Sequence, residues 1–112
     1  MPGIPFEVRV EEADGMTRLR MSGDVNRSAH EQLEEAYAGA GSGPLILDFS
    51  HVDYINSTGI AVIVGVLAKA RAGGRAVRAF GLTDHYRQIF QITRIADFMT
   101  IFEDETAAAG AS

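Results

Sequence analysis

The chain contains no cysteine. It therefore has no disulfide framework, no thiolate metal site and no thiol redox chemistry. Positive charge is also scarce: ten Lys and Arg stand against fifteen Asp and Glu, a formal net charge of −5, and the ten are scattered. A nucleic-acid surface needs clustered cations to neutralise phosphates, so no direct nucleic-acid partner is expected, and a basic protein partner suits the charge better than an acidic one. Long apolar runs are missing as well. A bilayer-spanning helix needs about 20 apolar residues, whereas the longest run here, 60–67, has eight. Membrane insertion is not expected. The opening Met1-Pro2-Gly3-Ile4-Pro5-Phe6-Glu7 lacks the basic-then-apolar order of a secretory signal, which makes the expected location cytoplasmic.

The usual groupings of catalytic residues are absent too. An enzyme needs a nucleophile with a base, a metal cluster or a phosphate-cradling loop. Ser57 has no histidine near it in sequence. His30, His51 and His85 lie on three separate segments without ligand spacing and read as surface or loop residues. Asp48 and Asp53 flank one strand end, but paired-carboxylate chemistry needs a cleft that so small a chain can hardly enclose, so a solvated or capping role is expected. Gly39-Ala40-Gly41-Ser42-Gly43 follows a helical pattern, whereas a phosphate loop follows a strand. Neither catalysis nor a cofactor or metal is expected.

What is present is one domain with an ordinary globular composition, taken as 1–112, with frayed ends at about 1–5 and 106–112. Phe6-Glu7-Val8-Arg9-Val10 and Leu19-Arg20-Met21 alternate apolar and polar around the turn signal Asp14-Gly15, which predicts a hairpin. Ser28-Ala29-His30-Glu31 has the form of a capping box, and Ala29, Leu33, Ala36, Tyr37 and Ala40 then recur at helical spacing. Gly39, Gly41, Gly43 and Pro44 end that helix. Leu45-Ile46-Leu47-Asp48-Phe49 reads as a strand buried on both faces. After the helix that follows it, Gly73-Gly74 is a stop, 76–80 a further strand, and Thr83-Asp84 the cap of a helix with Tyr86, Ile89, Phe90 and Thr93 inward. Ile95, Phe98, Ile101 and Phe102 supply a last strand or packed turn, and 103–106 can open a terminal helix. The order predicts an α/β fold, a small mixed β-sheet with helices packed on it.

The chain is organised around Tyr54-Ile55-Asn56-Ser57-Thr58-Gly59, where a strand hands over to the apolar run 60–67. Ser57 and Thr58 are N-cap candidates, since a hydroxyl there can accept from the first free N–H groups of the helix. A hydroxyl at the positive end of a helix is equally suited to carry a phosphate. Along the helix, Ile60, Ile63, Val64 and Leu67 are expected to face the sheet. Val62 and Val66, with Lys69 nearby, form a second apolar face and a candidate docking surface. Ala61, Gly65 and Ala68 form a third stripe, small enough for another backbone to approach.

Three stretches resemble the STAS domain of bacterial anti-sigma factor antagonists: Gly23-Asp24-Val25-Asn26, residues 47–60 with the Asp-Ser-Ser/Thr-Gly-type motif at Asn56-Ser57-Thr58-Gly59, and Gly81-Leu82. The similarity runs over 6–104. It implies a STAS-like sheet of about four to five strands and a switch by partner exchange. Ser57, with Thr58 second to it, is then the residue phosphorylated by an anti-sigma factor serine kinase of the histidine-kinase-like ATPase fold. A metal-dependent serine phosphatase reverses the modification, and the unmodified protein binds the kinase and so releases a sigma factor. The implied partner-binding residues are Asp24, Asn26, Asn56, Ser57, Thr58, Gly59, Val62, Val66 and Lys69. Many family members carry an acidic residue at the positions of Asn26 and Asn56, so this chain departs from the pattern where the kinase is expected to dock. The resemblance also admits another role, a non-catalytic scaffold subunit of a stressosome-like or lipid-transport complex.

Overall fold

A computed structural model describes residues 3–110. Strand β1 (Glu7–Ala13) pairs antiparallel with β2 (Met16–Val25) across Asp14 and Gly15, whose φ values of 56° and 75° are those of a tight hairpin turn. Three parallel crossovers follow. Helix α1 (Ala29–Ala38) leads to β3 (Leu45–Ile55), α2 (Ser57–Ala72) to β4 (Val77–Phe80), and α3 (Asp84–Ile92) with a 3-10 turn (Ile95–Phe98) to β5 (Thr100–Phe102). Helix α4 (Glu105–Gly110) ends the described chain. The sheet order is β1-β2-β3-β4-β5, with only the first pair antiparallel. The expected mixed α/β sheet has five strands.

Strand β3 is central because Leu45, Ile46, Leu47, Asp48 and Phe49 are all buried. Leu45, Leu47 and Phe49 point into the main core with Leu19, Leu33, Ile63 and Phe90. There the Phe49 and Phe90 rings meet edge to face, with centroids 6.1 Å apart. Ile46 points the other way, as strand alternation requires, and packs with Phe80 and Ala108. On that second face Arg20 is forked among three carboxylates: Glu11 at 2.8 Å, Asp48 at 2.9 Å and Glu105 at 2.5 Å.

Three local expectations are corrected. Strand β3 runs on to Ile55, well past Phe49, because β2 continues beside it through two register shifts. The capping box at Ser28 does not form: Asn26 Oδ1 accepts from both Ser28 N (2.9 Å) and Ser28 Oγ (2.6 Å), which removes the hydroxyl from the helix. At the C-terminal end, where fraying was expected, α4 continues to Gly110. Asp104 Oδ1 accepts from Ala107 N at 2.8 Å, Arg78 Nη1 donates to the Ala108 carbonyl at 3.1 Å, and Ala108 is fully buried. At the other end, Ile4 is hydrogen-bonded to Asp24. The expectation of fraying at residues 1, 2, 111 and 112 lies outside the described residues.

Candidate functional site

Strands β2 and β3 end side by side, with Asp24 opposite Tyr54 and Val25 opposite Ile55. The loop of Asn26, Arg27 and Ser28 and the junction of Asn56, Ser57 and Thr58 therefore leave the sheet at the same end. In α/β folds that end, the carboxyl end of parallel strands, is where sites form. Two bonds fix the junction: Asn56 N donates to Val25 O at 3.2 Å, and Ile55 N donates to the buried Tyr86 hydroxyl at 2.8 Å. Thr83 accepts from Tyr86 N and so caps the helix that carries this tyrosine. The third fixture is Gly59, where a Cβ would lie 1.9 Å from Val25 O, so only glycine lets α2 start this close to β2.

The cap of α2 is Asn56, which corrects the expectation for Ser57 and Thr58. Asn56 is extended (φ −88°, ψ 179°), and its Oδ1 accepts from Gly59 N at 2.7 Å. An amide spans this geometry from the position before the first helical turn, whereas Ser57 and Thr58 are already inside that turn. Both are exposed and relieved of capping. Thr58 lines a cleft of about 460 Å³ with Arg27, Ser28, His30, Glu31 and Val62; Ser57 does not. No acidic residue occupies the first turn of α2, so nothing there offsets its positive end.

The faces of α2 are distributed differently from the sequence reading. Val62 and Val66 are 8% and 5% exposed and lie in the main core with Leu33. Val64, expected on the sheet, is 44% exposed. The buried arc is Val62, Ile63, Val66, Leu67 and Ala70, because α1 covers the flank that the sequence left open for a partner. Ala61, Gly65 and Ala68 are exposed, as a stripe of small residues should be if another body is to come close.

Other implied partner-binding residues also have internal roles. Asp24 is 3% exposed; its Oδ2 accepts from Ile4 N at 3.2 Å while its own N–H donates to Ile4 O at 3.0 Å. It anchors the segment before β1, and Gly59 is buried beneath the junction. Lys69 is exposed but donates to Glu34 Oε1 at 3.1 Å, and the hydrogen bond to Lys69 holds the Glu34 carboxyl below its ordinary value. The side chains of Asp24, Val62 and Val66 are therefore too buried to touch a partner directly. Asn26, Asn56, Ser57 and Thr58 remain together at the surface. Arg27, which the sequence reading passed over, joins them; its only signal was its place beside Asn26.

The histidines stay apart: His30 faces Glu34 at 3.3 Å, His85 stacks edge-on with Tyr86, and His51 lies on β3. Asp48 is buried on Arg20 while Asp53 is exposed. Among the described residues no group of three or more acidic or histidine side chains could hold a metal ion, and no helix is long and apolar enough to cross a membrane.

A five-stranded mixed sheet with helices packed on it, and an exposed hydroxyl on the first turn of the helix after β3, defines a small α/β domain. The chain belongs to the STAS-domain family: residues 8–101 match the family described as "Mlab, STAS domain". Among its relatives is BtrV of Bordetella bronchiseptica, provisionally named an anti-sigma factor antagonist. The two are 29% identical over 109 residues, covering 95% of this chain and 94% of that protein. The anti-sigma-B factor antagonist of Listeria monocytogenes is 27% identical over 101 residues, covering 88% of each. In fold the chain is similar to the anti-sigma factor antagonist SpoIIAA in its unphosphorylated form, with TM-score 0.70, 16% identity and coverage of 92% of this chain and 94% of that one. It is similar as well to the phosphorylated form of the Bacillus protein, with TM-score 0.66, 19% identity and coverage of 90% and 96%.

Proposed function

We propose that this protein is an anti-sigma factor antagonist that works by partner exchange. In its unmodified form it binds an anti-sigma factor serine kinase of the histidine-kinase-like ATPase fold and so frees a sigma factor. Phosphorylation of Ser57 by that kinase ends the complex, and a serine phosphatase restores it. One observation carries the reading: Asn56 does the capping, so the Ser57 hydroxyl stands exposed on the first turn of α2 with no structural duty.

The physics of the switch is local. A phosphate adds about −1.5 to −2 charge at pH 7. On the free protein this charge meets the positive end of α2, which favours it by roughly 0.3–1 kcal/mol at an exposed site. In a complex it must be desolvated against the partner, a penalty far larger than that gain. The exposed neighbours that would share the interface are Thr58, Ala61 and Val64 rather than Val62 and Val66. The carboxylates common at positions 26 and 56 in the family are amides here, which leaves Arg27 as the nearest charged residue in the loop and lowers the repulsion a phosphate meets.

The test is a binding titration against the ATPase anti-sigma factor of the same organism, together with mass spectrometry of the protein from its own cells. Ser57→Ala should bind as the wild type does, Ser57→Asp should bind at least about tenfold more weakly, and Ser57 should carry phosphate. Equal binding by Ser57→Asp refutes the charge switch. Self-association that ignores ATP and kinase would favour the scaffold role instead.

A further inference from the structure

The exposed side of α2 ends in an apolar groove that the reading above leaves unused. Val64 and Ala68 form one wall, Ile95 and Phe98 the other, and Arg71 and Arg94 the rim, around about 300 Å³. Val64 and Phe98 are 44% and 49% exposed, and large apolar side chains clustered at a surface mark an interaction site more often than chance placement does. The rim is cationic, and no carboxylate lines the groove. Arg71 lies 5.1 Å from the Phe98 ring centroid, and its guanidinium makes no salt bridge among the described residues. Arg94 has one exposed partner, Asp97 at 2.8 Å. On a chain of net charge −5 this is a local reversal of sign, opposite to the basic partner that the charge total suggests.

We propose that the groove takes a short acidic segment of the anti-sigma factor, seating an apolar side chain between Val64 and Phe98 and pairing flanking carboxylates with Arg71 and Arg94. The proposal rests on the partner-exchange reading and extends its footprint. Ser57, Ala61, Val64 and Ala68 recur at helical spacing along the exposed side of α2, and seven residues of helix carry the chain about 10 Å. A partner seated on Ser57 therefore reaches the groove without crossing a gap. Phosphorylation then acts at one end of a longer contact, and the groove supplies specificity that the phosphate does not alter. An anionic membrane could also be drawn to two arginines over an apolar floor, but the remaining charge of this chain repels such a surface.

The experiment is calorimetric titration of the intact protein with the ATPase anti-sigma factor of the same organism at low and high salt, paired with amide NMR of the labelled wild type in the complex. Val64→Asp and the double variant Arg71→Glu/Arg94→Glu should each weaken binding by roughly tenfold or more, the double variant with a flatter salt dependence. The wild-type amides of Val64, Ala68 and Phe98 should shift on binding, a readout that needs no substitution. Wild-type binding with unshifted groove amides and unchanged variant affinities overturns the groove and leaves the partner-exchange reading standing. Failure of the wild type to bind overturns both. Cosedimentation with phosphatidylglycerol vesicles, lost in the double variant, would overturn the acidic-segment assignment.

Discussion

Two identical substitutions in α2 are expected to have opposite effects. In Gly59→Ala the new Cβ falls 1.9 Å from Val25 O, and ordinary contact begins at 3.4 Å. The first turn of α2 must therefore retreat by about 1.5 Å, a contact-distance difference of the kind that costs roughly 1–3 kcal/mol when a packed site is overfilled. That retreat stretches the bond from Asn56 N to Val25 O, already 3.2 Å long, and losing it removes about 1 kcal/mol more. The gain in helix propensity from glycine to alanine returns up to about 1 kcal/mol. The balance is a loss of roughly 2 kcal/mol, or about 8 °C in Tm for a domain of this size. Gly65 lies six residues on, exposed and mid-helix, and nothing lies within 4 Å of the Cβ it would gain. Gly65→Ala should stabilise by up to about 1 kcal/mol and raise Tm by about 4 °C. Reversible thermal unfolding followed by circular dichroism measures both. A Gly59→Ala protein that melts at or above the wild type would refute the close-approach argument.

On the second face, Arg20→Ala strips Asp48, 3% exposed, of its cation and releases Glu105 of α4, so urea unfolding should reveal a loss of roughly 3 kcal/mol. Arg20→Lys should not restore it, because Glu11, Asp48 and Glu105 are met by three separate nitrogens of one planar guanidinium, a spread that a single compact ammonium nitrogen does not reproduce. Glu11 is held below its ordinary carboxyl value of 4.5 by the hydrogen bond from Arg20, and Glu34 by the one from Lys69. A lowered folded pKa means the unfolded chain binds more protons. This stability is therefore complete above the ordinary carboxylate range and is lost as pH falls through the lower folded values. Melting temperature should decline on acidification below about pH 5, and Glu11→Gln should flatten that decline. Asn56→Asp keeps the cap and adds a negative charge at the positive end of α2, so it should stabilise the protein by about 0.3–1 kcal/mol, read as a rise in Tm.

Much of this architecture could be read from the chain because local signals agreed with the global fold. The Asp14-Gly15 turn, the doubly apolar Leu45-Ile46-Leu47 and the glycine stops each allow one interpretation. The faces of α2 are misassigned where two helices share a face. Periodicity assigns Val62 and Val66 to a common side of α2 but does not say that α1 lies over it, so from sequence alone a covered apolar face looks the same as a free one. Val64 failed in the complementary way: a β-branched residue in an apolar run reads as core, yet helical rotation carries it past the buried arc into solvent. The anchoring role of Asp24 is not legible in the sequence, because it depends on Ile4, twenty residues away, which no local pattern links to it. At the junction, three consecutive residues can each accept from a helix N–H, and only the extended backbone of Asn56 decides among them.

That decision determines how a modification at Ser57 can act. Were Ser57 the cap, a phosphate on it would disturb the bond that starts α2, and the signal would include partial unwinding. With Asn56 as the cap, Gly59 wedged against Val25 and Ile55 tied to Tyr86, the junction is held by groups that a phosphate on Ser57 does not replace. The added charge then leaves the fold standing and changes only what the surface accepts. The protein should consequently melt at nearly the same temperature with Ser57→Asp as without it, rising by no more than about 1 kcal/mol in stability from the helix end. Its affinity for the partner should fall by a much larger factor. Stability that drops in step with affinity would mean that the switch works by unfolding the start of α2, and that the capping assignment is wrong.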